Sequence, residues 1–147
     1  MGADNRDAIV DAVVARMQTI TVANGYVTNA GARVYRWKAS VVAPSECPAI
    51  DVRDPDRRPL GVYAGGAVVR DYELTVEITG LAASGADTDG GLNLIVADIM
   101  KAVLEGDQTW GGKAIQTKYD SDRKGIDQRD VKVGIGVVRF LIHYRKT

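Results

Sequence analysis

The closing stretch of the chain, VKVGIGVVRFLIHY at 131–144, constrains the fold more than any other segment. It is dense in β-branched and aromatic residues and reads as a strand. Its apolar residues fall into two sets of opposite parity. Val131, Val133, Ile135 and Val137 form one; Val138, Phe140, Ile142 and Tyr144 form the other. Successive side chains of a strand point to opposite faces, so one face cannot bury both sets. A β-bulge near Val137, eased by Gly134 and Gly136, is the expected reconciliation.

The rest of the chain supplies partners for that strand. Ile9, Val13, Met17 and Ile20 recur at helical spacing, widened by Val10 and Val14, and predict a helix over 5–20. Asp4 or Asn5 can cap its start, and Asn24–Gly25 can end it. RVYRWKA (33–39) alternates as a strand, and ECPAIDVRD reads as a second short one beginning at Pro48. DPDRRPLGVYAGGA (54–67), with charges, two prolines and three glycines, reads as a polar loop. VVRDYELTVEITG is the clearest strand. A second helix follows, with Asp87 and Asp89 at its positive end, Lys101 near its negative end, and Leu92, Ile95, Val96, Ile99, Met100 and Val103 as its apolar stripe. Gly106 is the expected C-cap. Strands over 113–119 and 131–144 close the chain, with a polar hairpin loop near 120–130 between them. The order predicts a single α+β domain over 1–147, two helices packed against a mostly antiparallel sheet of about five strands.

Charge and cysteine usage narrow the function classes. Nineteen basic and nineteen acidic residues cancel, which gives no polyelectrolyte signal for nucleic acid or a membrane surface. The balance is uneven along the chain: residues 1–112 carry 10 basic and 15 acidic residues, a net of −5, and residues 113–147 carry 9 and 4, a net of +5. A solvated face accounts for most unevenness of this kind, and a basic surface on one copy meeting an acidic surface on the next is the functional alternative. A single cysteine, Cys47, rules out an intramolecular disulfide framework. The N-terminal stretch lacks the pattern of a signal peptide, and no apolar run approaches the ~20 residues of a membrane span. Synthesis in a cytoplasm is the expectation.

Catalytic motifs do not emerge. One histidine and one cysteine are too few for the usual zinc sites. DTDGG (87–91) fails as a calcium loop at three positions, and the aspartates fit helix capping. GIGVVR (134–139) lacks the third glycine of a dinucleotide fingerprint and lies in a strand; GVYAGGAV has no Gly-Lys-Ser/Thr after it. A Cys47–His143 nucleophile pair is the one enzymatic arrangement left open. DQTWGGKA (107–114) resembles a phosphate loop until its place is noted. It follows a helix instead of preceding one, so Gly111 and Gly112 read as a turn and Trp110 as an apolar plug over the joint.

Taken together, RDAIVDAVVARMQTI, ANGY, VYRWKA leading to CPAIDVRD, YELTVEI, GLNLIVADIMKAVL, DQTWGGKA and VVRFLIHYRK resemble, in that order and over nearly the full chain, the bacteriophage tail terminator or minor tail protein U family. The resemblance implies a non-enzymatic virion structural protein, made in the host bacterial cytoplasm and residing at the head-proximal end of the tail. It implies a ring, commonly of six copies, that stops addition of tail-tube protein and prepares head joining, with no cofactor and no metal. Its partners would be its own copies, the tube protein and a head–tail connector protein. Alternatives are a head–tail connector or neck protein, and a small hydrolase or ligand-binding domain using Cys47 and His143. A ring needs two complementary surfaces on each copy. The charged candidates are Asp54, Asp56, Arg57, Arg58, Asp120, Asp122, Arg123, Lys124 and Arg129.

Overall fold

A computed structural model describes residues 4–38, 42–60, 71–83, 88–127 and 133–146. Helix α1 spans Arg6–Met17 and α2 spans Thr88–Leu104; the strands are β1 (Val34–Arg36), β2 (Ala49–Pro59), β3 (Asp71–Ala83), β4 (Gln116–Asp127) and β5 (Val133–Arg145). The sheet order is β1-β2-β3-β5-β4, antiparallel except for the parallel β1–β2 pair. Two helices on a mostly antiparallel five-stranded sheet make this an α+β fold.

The two parities of β5 are reconciled without a bulge on that strand. Its pairing with β3 runs unbroken from Asp71↔Arg145 to Ala83↔Val133. Val138, Phe140, Ile142 and Tyr144 join Leu74, Val76 and Ile78 of β3 and Ile50 and Val52 of β2 under the helices, which contribute Ile9, Val10, Val13 and Met17 from α1 and Ile95, Ile99, Ala102 and Val103 from α2. Val133 lies on the opposite face and packs with Val42, Ala49 and Leu81, flanked by Tyr35, Cys47 and Ile135. Both faces are therefore used, because β5 is internal to the sheet. The bulges fall elsewhere, between Arg53 and Asp56 on β2 and between Tyr119 and Ser121 on β4.

The β5 glycines serve helix packing. Gly136 pairs across the sheet with Gly80, and Gly134 with Ala82. A Cβ added at Gly80 would lie 2.4 Å from Ile95 Cγ2; at Gly134, 2.5 Å from Thr88 Cγ2; at Gly136, 2.7 Å from Val96 Cγ2. This small-residue floor lets α2 settle onto β3 and β5 at a distance that any larger side chain would forbid.

Several element boundaries differ from expectation. α1 ends at Met17, and Gly25, at φ 91°, closes a separate 3-10 turn over Val22–Asn24. Asn5 makes no side-chain cap; Asp4 Oδ1 instead accepts the Arg6 N–H at 3.0 Å. β1 is cut to three residues because Trp37 turns left-handed, at φ 53°. Gly106 is not a left-handed cap; there a Cβ would lie 2.8 Å from the Ala102 carbonyl and 2.9 Å from Arg16 Nη1. Positions 54–59 and 120–127, read as loop, are strand: β3 and β5 supply the backbone partners that outweigh their polar composition. Residues 61–67 and 128–130 of those expected loops, and Asp87, lie outside the described residues.

Replacing Gly80 with Val is expected to destabilise the fold by about 1–3 kcal/mol through overpacking, as read by urea unfolding. Gly91 on α2, where a Cβ meets nothing within 4 Å, is the contrast. Gly91→Ala is expected to be neutral or to stabilise by up to about 1 kcal/mol.

Candidate assembly interface

The eight described charged candidates divide into internal clamps and exposed groups. Asp54 is 8% exposed. Its Oδ2 accepts Arg6 Nε–H at 2.7 Å, its Oδ1 accepts the Trp37 indole N–H at 2.7 Å, and Arg6 Nη2 also reaches its carbonyl at 2.8 Å. Three segments are thus tied to one carboxylate, which is a structural task. Arg57 is likewise turned inward: it donates to Asp4 Oδ2 and, at 2.6 Å, to the Tyr144 hydroxyl, while its guanidinium lies 4.4 Å from the Tyr72 ring centre. Tyr144 donates to Asp4 Oδ1 at 3.0 Å. This cluster fastens the start of α1 to the far end of β5.

The remaining described candidates are exposed in two places. On β2, Asp56 is exposed and Arg58 pairs with Glu73 at 2.8 Å. On β4, Asp120 lies 3.5 Å from Arg139, Asp122 accepts the Tyr119 hydroxyl, and Lys124 reaches Asp89 and, at 2.8 Å, Asn93 on α2. Arg123 is exposed and forms no ion pair among the described residues. Arg129 lies outside the described residues. β3 and β5 separate the two groups by three strand spacings, about 14 Å. The structure therefore does not gather the candidates into one patch. It also consumes part of the basic excess of 113–147 internally, through Lys124 with Asp89 and Arg145 with Asp71 at 2.7 Å.

Cys47 and His143 do not form a pair. Cys47 adjoins the Ala49↔Leu81 end of the sheet, whereas His143 pairs with Glu73, eight positions away along β3, or about 26 Å. Burial pushes the Cys47 thiol pKa up, the wrong direction for a nucleophile. It lines an apolar cleft of about 250 Å³ with Thr28, Pro48, Ala82, Ala83, Gly91, Leu94 and Ile95, none of them a general base. His143 Nε2 instead lies 3.1 Å from Asp71 Oδ2.

The DQTWGG stretch is a built joint between α2 and β4. Trp110, Gly111 and Gly112 take φ of 53°, 74° and 84°, three left-handed residues in succession. Trp110 is 2% exposed; its indole N–H donates to Thr117 Oγ at 2.8 Å, and Arg16 of α1 stacks 3.8 Å from its ring centre. Asp107 holds the turn: Oδ1 accepts from the Thr109 N–H at 2.9 Å and its hydroxyl at 2.6 Å, and Oδ2 from the Gly111 N–H at 2.9 Å. These bonds, Thr109's hydroxyl first, lower the Asp107 pKa from 3.8 to about 2.

Asp98 escaped the sequence reading. It is 2% exposed in the middle of the α2 stripe and accepts from the Val27 N–H at 3.1 Å and the Thr28 N–H and hydroxyl at 2.7 Å. A carboxylate at helical spacing among buried Ile95, Ile99 and Ala102 was the signal. Lys101 assists by donating to the Gly25 carbonyl at 3.2 Å. Both pin the 21–30 segment to α2.

Trp110→Ala is expected to cost about 3–5 kcal/mol and to lower the melting temperature; an unchanged melt would remove Trp110 from the core. The Asp107 contribution is full above its unfolded value of 3.8 and fades as pH falls towards 2. The melting-temperature gap between wild type and Asp107→Asn should therefore hold steady down to about pH 4 and narrow below it; a gap independent of pH would contradict this. Compared with protein-family models and with curated proteins, the chain matches none.

Proposed function

We propose that this chain is a phage or prophage structural protein that caps the head-proximal end of a tail tube as a ring, ending tube growth and preparing the surface to which a head joins. The mechanism is association, with no bond made or broken. The observation that carries the reading is the presence of two separate exposed surfaces on one sheet. One comprises Asp56 and Arg58 on β2, where no described strand pairs beyond Val52 on the side away from β3, and the other is the outer edge of β4. A head-to-tail ring requires two such unlike surfaces, whereas a closed pair requires only one. The order of segments shared with tail terminators supports the same reading. The one thiol and the one imidazole sit at opposite ends of the sheet, which removes the paired nucleophile of the hydrolase alternative.

Electron microscopy of tails assembled without this protein tests the proposal. Tubes of uncontrolled length are the expected result. Tails of normal length that lack heads would move the protein to a connector role, and normal virions would end both readings.

A further inference from the structure

The outer edge of β4 is unusual for its length and exposure. The strand runs Gln116–Asp127 at the end of the sheet, and from 116 to 126 only Thr117 is buried. Tyr119 and Ile126 are 41% and 48% exposed. Such an edge presents unpaired backbone groups to any strand that can lie beside it. The open stretch of β2 is a poorer template, since Pro55 and Pro59 lack an N–H. β4 contains no proline.

The strand is also complementary to itself. Its pairing with β5 sets Thr117 and Tyr119 on the helix side; the extra residue, Asp120, shifts the phase so that Asp122, Lys124 and Ile126 share that side. Laid antiparallel against a second copy, β4 can match faces with Arg123 on the two-fold axis. Tyr119 then meets Ile126 of the second copy, Asp122 meets Lys124, Ser121 meets Gly125, and Lys118 comes opposite position 127, an aspartate. Each meeting occurs twice. The one unfavourable encounter is Arg123 with its own copy. Sliding the register by two residues puts Asp122 or Lys124 against itself and parts Tyr119 from Ile126. Cross-strand pairs of this kind are the unit of sheet stabilisation.

We propose that the free protein pairs β4 against β4 of a second copy, joining two five-stranded sheets into one continuous sheet about a two-fold axis. The contact does not rest on the ring reading. It bears on it all the same, since a β4 edge covered in a closed pair enters a ring only after the pair opens.

Disulfide trapping tests the register. In a Cys47→Ser background, Arg123→Cys places one thiol on the axis opposite its own copy. Directly opposed Cα atoms are about 4.5–5.5 Å apart, within disulfide range. Mild oxidation should convert Arg123→Cys to covalent dimers at least tenfold faster than Lys118→Cys, whose opposite position carries no thiol. Equal rates at the two positions, or none at Arg123→Cys, would overturn the proposal. Sedimentation equilibrium of the unmodified protein gives a second readout. A dimer is expected, with its dissociation constant raised at least tenfold in Tyr119→Ser/Ile126→Ser; a protein that stays monomeric at millimolar concentration would contradict it. Neither readout depends on tail length, so the two proposals fail separately.

Discussion

The close approach of α2 to β3 and β5 is the constraint from which the rest of the molecule follows. Gly80, Gly134 and Gly136 remove every side chain that would hold the helix away, and Ile95, Val96 and Leu92 fill the space they leave. Because α2 lies so low, its C-terminal end points at the corner where Trp110 must reverse the chain. β4 can then start beside β5 only through the three left-handed residues of that corner. Arg16 of α1 stacks on the same indole, so α1 docks against the joint as well as the sheet. Sheet, helices and connection share a single packing solution.

Charged side chains do much of the remaining fastening. Asp54, Asp98 and Asp107 each accept several hydrogen bonds from segments far apart or locally strained, and Arg57 bridges Asp4 and Tyr144. The buried carboxylates of Asp54 and Asp98 are tolerable only because their oxygens are satisfied in this way. The chain's even balance of acids and bases is thus partly a record of internal ties. The exposed groups left over, on β2 and β4, are those that can serve association.

Much of this order was legible in the sequence. The helical stripes of α1 and α2 and the alternation Leu74, Val76, Ile78 are burial written directly as periodicity. DQTWGG was readable as a joint because its position after a helix excluded the phosphate reading. The extents of β2 and β4 were not legible. Beyond Arg53 and Tyr119 these strands are polar and mostly exposed, so no apolar alternation marks them; their strand state is imposed by hydrogen bonds from β3 and β5. The double parity of β5 was visible, but its resolution depended on whether the opposite face of the sheet is used, which is a fact of topology. Asp54 and Arg57 looked like loop charges, because a clamp is defined by partners as distant as Arg6 and Tyr144. Of the candidate interface, Asp54 and Arg57 are engaged in internal ties, while Asp56, Arg58, Asp120, Asp122, Arg123 and Lys124 are exposed.

The assembly proposal makes the molecule's physics simple. A rigid two-layer core presents unlike surfaces across one sheet, and specificity lies in edges and side chains, not in a pocket. The most direct measurement is to add the purified protein to tube protein from the same genome while it polymerises, and to image the tubes. The account predicts tubes that carry this protein as a ring at one end only and that cease to lengthen there. Tubes that grow to the same length with the protein unbound, or bound along their sides, would contradict it.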